Sequence, residues 1–209
     1  MAAAPGPPAP STARRALRAG LGIAAAAGIG LGLGTDTLSP PPAAMILPRS
    51  AITPGAIDAQ VHYPEICAKT WQPGADGGPP VPGGMETYSQ AGRQTSAALK
   101  QRVFDDYRII NPHDGGASYE VDHLVPLALG GRDVEANLWP QSRLPTVSLN
   151  AYAKDRLESR LYHLLCHPDP GEPHVDLAQV QQALRSNWRQ AFETYCDDDG
   201  CQASDSATD

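Results

Sequence analysis

The run YEVDHLVPLALGGRDVEANLWPQ, residues 119–141, leaves the chain few ways to fold. Tyr119, Val121 and Leu124 are apolar and Glu120, Asp122 and His123 polar, an alternation that suits a short half-buried strand. Pro126 lacks an N–H donor and belongs at a strand end or edge. Gly130-Gly131 marks a tight reversal, so a second short strand or loop runs back toward Asn137, Leu138 and Trp139. A helical pattern follows Pro145, giving strand, loop, strand, helix. Asp122 and His123 then sit at the exit of the first strand. One offers a hard oxygen ligand, the other an imidazole whose ordinary pKa of ~6.5 allows proton transfer near neutrality.

DHLVPLALGG at 122–131, NLWPQ at 137–141 and AKDRLE at 153–158 resemble the HNH endonuclease superfamily, and most closely its branch of small secreted HNH-type proteins. TPGA at 53–56 and EIC at 65–67 extend the likeness more weakly, so that it spans residues 53–196. The resemblance implies a ββα-metal fold that hydrolyses nucleic-acid phosphodiesters. It makes His123 the general base that activates water, Asp122 a metal ligand, and Asn137 the residue that pins the interstrand loop to backbone groups. An amide can do this because it both donates and accepts. The family commonly supplies a His or Asn from the helix as second ligand, and no His stands there. Asn150, in the first helical turn, is the chosen second ligand, with Asp155 and Glu158 as rivals; an N-cap role suits Asn150 equally well. Asn150, Lys154 and Glu158 are expected on one helical face, with Asp155 pointing elsewhere. Lys154 either neutralises phosphate or pairs with Glu158. Oxygen ligands fit Mg²⁺ or Mn²⁺, and a nitrogen ligand would admit Zn²⁺.

Around the motif the periodicity predicts a short helix within Ile57–Cys67 limited by Pro64, and a loop over residues 68–92, rich in Gly and Pro. A helix capped at Thr95-Ser96 should reach about Tyr107, burying Leu99, Val103, Phe104 and Tyr107 as core. Another should run from Val147 or Ser148 to about Cys166, with Leu149, Tyr152, Ala153, Leu157, Leu161, Leu164 and Leu165 inward. The last starts at Asp176, with Leu177, Val180, Leu184, Trp188, Phe192 and Tyr195 buried. The expected fold class is α+β, a small ββα-metal motif among three or four helices, stabilised by disulfides.

Arg14, Arg15 and Arg18 precede an uncharged run to Gly34, which reads as a signal peptide or N-terminal anchor over 1–34. Residues 35–52 read as a Pro-rich extended linker, 53–196 as one domain and 197–209 as an acidic tail. The expected location is therefore secreted or extracytoplasmic. Cys67, Cys166, Cys196 and Cys201 allow three pairings, and Cys67–Cys166 with Cys196–Cys201 is favoured; their spacing does not suit a zinc knuckle.

The net charge of −7 becomes −10 once Arg14, Arg15 and Arg18 are removed, which is unfavourable for non-specific polyanion binding. Arg132, Arg143, Lys154, Arg156 and Arg160 outnumber their acidic neighbours and are expected to form a local basic strip. His113, His163, His167 and His174 show no ligand spacing, and Trp139 reads as a core anchor. No nucleophilic Ser/His/Asp set, phosphate loop or dinucleotide fingerprint occurs. The expectation is a secreted, monomeric, metal-dependent endonuclease for DNA, and in addition RNA, with low sequence preference and no stable membrane association after signal cleavage. The alternative is an inactive HNH-like module that binds an extracytoplasmic partner.

Overall fold

The computed structural model describes residues 45–110, 117–196 and 201. The expected export segment, the linker before residue 45, the acidic tail apart from Cys201, and residues 111–116 with His113 lie outside the described residues. The remainder is α+β. In chain order it contains α1 (Glu65–Ala68), β1 (Trp71–Gln72), β2 (Val81–Pro82), α2 (Tyr88–Gly92), α3 (Ala97–Asp106), β3 (Tyr119–His123), β4 (Leu138–Ser142), α4 (Ala151–Cys166) and α5 (Leu177–Tyr195).

β3 and β4 form an antiparallel ribbon in which Tyr119 faces Ser142, Asp122 faces Trp139 and His123 faces Leu138. The loop between them returns tightly because Gly130 has φ +78° and because a Cβ on Gly131 would lie 1.9 Å from the Val125 carbonyl oxygen. The upstream segment 53–58 lies along this loop. Gly55 N donates to Ala136 O (3.0 Å), Asp58 N to Gly130 O (2.8 Å), Arg132 N to Ala56 O (3.0 Å), and the Thr53 hydroxyl to Leu138 O (2.8 Å).

α4 and α5 cover one face of the ribbon. Leu157, Leu161, Leu164 and Leu165 from α4 and Val180, Leu184 and Trp188 from α5 are buried, each side chain worth roughly 1.5–3 kcal/mol of transfer free energy. Trp139 packs on Trp188 with ring centroids 6.0 Å apart, as expected of a core anchor. Two disulfides are present, Cys67–Cys166 and Cys196–Cys201, the favoured pairing. The first joins α1 to the end of α4 across 99 residues, for which chain entropy predicts up to about 4.7 kcal/mol.

Several local expectations need correction. Ile57 bridges to Gly131 instead of starting a helix, and α1 begins only after Pro64, whose ring suits a helix start. The segment expected to be loop holds the small β1–β2 hairpin and α2, which Thr87 and Gln90 start with a capping box. α4 starts at Ala151, and Tyr152 is exposed rather than core, stacked on Arg143 with 5.4 Å between guanidinium carbon and ring centroid. α5 breaks its helical geometry at Asn187 (φ −166°), whose side chain accepts from Gln190 N. The basic strip does not form: Lys154 is buried, Arg160 pairs with Glu172 and Arg156 lies over Phe192.

Candidate functional site

The exit of β3 opens on a cleft of about 730 Å³ between α3, the ribbon and α4. Asn137 sets the geometry of its rim. This fully buried amide accepts from Val125 N (2.9 Å) and donates to Val125 O (2.9 Å) and Arg132 O (2.8 Å). Both ends of the interstrand loop are thereby tied to one side chain, so the residues that follow His123 have a fixed path.

His123 is buried, and its Nε2 lies 2.8 Å from Asp133 Oδ1. Burial pushes the Asp133 carboxyl up, but hydrogen bonds from His123, the Thr95 hydroxyl and the Gln94 backbone N–H outweigh it and hold the group down to about 2. Asp133 is therefore ionised, and it favours the tautomer that carries the proton on Nε2. Nδ1 of His123 makes no hydrogen bond among the described residues, and His123 lines the cleft. A neutral imidazole in this state presents its lone pair on Nδ1, the arrangement a general base needs.

Asp122 is held differently. Its Oδ1 accepts the His123 backbone N–H (2.7 Å) and its Oδ2 accepts from Lys154 Nζ (2.9 Å). Lys154 has no exposed surface, and its ammonium also donates to the His123 carbonyl (2.5 Å) and to Glu158 Oε1. Burial alone would favour neutral lysine, but the charges of Asp122 and Glu158 prevail and keep it protonated. The expected pairing with Glu158 is present; the Asp122 bond and the complete burial were not foreseen.

Asn150 does not join this group. It caps α4, its Oδ1 accepting from Ala153 N (3.1 Å) while its Nδ2 donates to Leu144 O (3.2 Å), and it is not part of the cleft wall. Asp155, expected to point away, lines the cleft with Glu120, Asp122 and Glu158. One residue of helix is only ~100° of rotation, so residues 154, 155 and 158 can share an arc. Burial, followed by repulsion from Asp122, pushes the Glu120 and Asp155 carboxyls up. Burial likewise raises Glu158, opposed by Lys154 and reinforced by Asp122. The cleft wall around Asp122 offers carboxylate oxygens, the donor type that fits Mg²⁺ or Mn²⁺ better than Zn²⁺; Asp122 and Glu158 meet on the Lys154 ammonium, and no three of these carboxylates bring oxygens within 4.8 Å of one another.

The opposite wall is basic. Arg93 and Lys100 line it, are exposed, and have no ion-pair partner among the described residues. Arg143, just past β4, stands on the acidic side of the cleft, 3.8 Å from Glu120 and over the Tyr152 ring. Lys100 comes from the polar face of α3, away from the face expected to be core, although Phe104 of that face also reaches the cleft. Asp133 was missed as well, since a carboxylate ten residues after a histidine carries no motif signal. His163, expected to have no ligand partners, lies 2.6 Å from Glu172 and 3.8 Å from Asp169, a trio whose ligand atoms all fall within 4.8 Å of one another, and Arg160 closes that surface network.

No family model matches this chain. Comparison with curated proteins and with solved structures found no match either. Among the described residues, no helix is long and apolar enough to cross a membrane.

Proposed function

We propose that this chain is a metal-dependent HNH-type endonuclease that hydrolyses DNA phosphodiesters, and RNA as a second substrate, with low sequence preference. The observation that carries the reading is His123 held at Nε2 by an ionised Asp133, with Nδ1 unpartnered among the described residues, beside Asp122 in a cleft. In this reading His123 Nδ1 takes the proton of the attacking water. Asp133 orients the ring and stabilises the imidazolium that forms. Arg93, Lys100 and Arg143 receive the substrate's phosphates, while Asn137 fixes the loop that carries Asp133. Asp122, with Asp155 and Glu158 in place of Asn150, would hold Mg²⁺ or Mn²⁺. That ion would offset charge on the phosphoryl group and the departing 3′ oxygen.

The absence of any element shaped to enter a groove supports low sequence preference among the described residues. The N-terminal segment and the two disulfides support export to an oxidising compartment, where the chain would act as a monomer without stable membrane attachment. One observation favours the second reading, a non-catalytic binding module: Lys154 already occupies Asp122.

The test is plasmid nicking by the purified, oxidised chain with Mg²⁺, Mn²⁺, Zn²⁺ or EDTA, beside Asp122→Ala and His123→Ala. Metal-dependent nicking lost in both variants supports the nuclease. A folded protein that fails to cut with any of these metals selects the binding module.

A further inference from the structure

Lys154 is the least exposed charged side chain of the described residues. An ammonium has three N–H donors, and here three acceptors meet them: Asp122 Oδ2 at 2.9 Å, the His123 carbonyl at 2.5 Å and Glu158 Oε1. None is left for a phosphate, so contact with substrate is not what this residue does. It supplies a positive charge among carboxylates and ties α4 to the main chain at His123.

We infer that Lys154 is a resident cation that sets how tightly the cleft takes a divalent ion, because it holds the oxygen of Asp122 that such an ion would need. The inference rests on the proposed role of Asp122 as a ligand. The other oxygen of Asp122 accepts the His123 backbone N–H at 2.7 Å, so neither oxygen is free. A divalent ion arriving here has to share or displace the Lys154 contact, and it also meets the repulsion of a fixed positive charge in a partly desolvated site. Lys154 is thus a positioning residue. Together with Glu158, it holds Asp122 and the strand exit in place before any metal arrives, at the cost of weaker metal binding.

The experiment is Mn²⁺ binding to the metal-free protein, followed by electron paramagnetic resonance and calorimetry, for the native chain and for Lys154→Met. Methionine keeps an unbranched stem and removes the charge, and circular dichroism with a thermal melt establishes that the variant is folded. Without the ammonium, Asp122 and Glu158 lose the cation that both touch, and Asp155 keeps only the pull of Arg143 and Arg156. Mn²⁺ should then bind at least ~10-fold more tightly than to the native chain. A lysine with a merely structural role would leave cation affinity unchanged or lower it.

If the native chain binds no Mn²⁺ and the variant does, the inference stands and the metal-dependent function proposed above fails. If the folded variant binds no more tightly than the native chain, the inference is overturned whatever the native chain does. Should Lys154→Met not fold, the native chain decides. Its buried Lys154 ammonium should give an exchange-protected ¹H–¹⁵N signal that shifts as Mg²⁺ is added, and Mg²⁺ binding registered by calorimetry with that signal unmoved overturns the inference.

Discussion

Asp122 and His123 are neighbours in sequence and are held by opposite means. The His123 ring is tied to Asp133, a residue of the loop that follows it, and keeps one nitrogen unpartnered among the described residues. The Asp122 carboxylate is tied at one oxygen to the backbone N–H beside it and at the other to Lys154, which arrives from α4. The first arrangement prepares a base before substrate arrives; the second commits a ligand before metal arrives. Adjacent residues of one motif can therefore stand at different degrees of readiness, with the local contact leaving chemistry open and the long-range contact closing it.

The largest effect should come from breaking the His123 side of this pair. His123→Ala is expected to lower plasmid nicking by ~10²–10⁴-fold while leaving Mn²⁺ affinity nearly intact, whereas Asp122→Ala should lose both. Asp133→Asn is expected to lower kcat by roughly tenfold to a hundredfold with little change in KM, since the ring keeps its place but not its preferred tautomer. Nicking by His123→Ala at the parent rate would reject the base assignment.

Next in size is the loop itself. Asn137→Ala removes three hydrogen bonds and strands the buried Val125 N–H and C=O, and should destabilise the protein by about 3 kcal/mol in a urea titration. A loss below about 1 kcal/mol would mean that the loop is held by segment 53–58 instead.

These contacts differ in how well the sequence announces them. Strand β3, its reversal at Gly130-Gly131, helices α3, α4 and α5 and the buried Trp139 follow from periodicity, caps and glycines, because each depends on near neighbours. The role of Asn137 depends on contacts within one loop, and it was the resemblance, not periodicity, that pointed to it. Neither announced the burial of Lys154: a lysine between Ala153 and Asp155 reads as a solvated helical position. Only the approach of Asp122 and the His123 carbonyl from a strand 31 or 32 residues earlier turns it inward. Asp133 and Lys100 were hidden for the same reason, since neither lies at a spacing that a helix or strand would impose. The β1–β2 hairpin escaped because each strand has only two residues, too few for alternation to register.

Acid should weaken the His123 side in a defined window. The Asp133 carboxyl is held down to about 2 from an ordinary 3.8, so its contribution is fully present above pH ~4 and is lost as pH falls from ~4 toward ~2. The magnitude is about 2 kcal/mol, read as the fall in urea midpoint between pH 5 and pH 2. Asp133→Asn should flatten this fall. It should not remove it, because Glu172, held low by the Asp169 backbone N–H, Arg160 and His163, loses its stabilising contacts in the same direction. An unchanged acid profile in Asp133→Asn would mean that the carboxylate is not paired with His123 in solution.

The smallest effect separates the two roles open to Asn150. Its Oδ1 accepts from Ala153 N at the start of α4, so Asn150→Ala should cost about 1 kcal/mol through loss of the cap. Asn150→Ser retains an oxygen that can accept the same N–H and should cost only a few tenths. Neither change should alter Mn²⁺ affinity, because the carboxylates of Asp155 and Glu158, not this amide, share the cleft with Asp122. If Asn150→Ser keeps the stability of the parent but loses cation binding, the amide must leave its cap to reach the metal. The first turn of α4 would then have to rearrange when the ion arrives, and Asp122 would no longer be the only ligand whose commitment elsewhere delays metal binding.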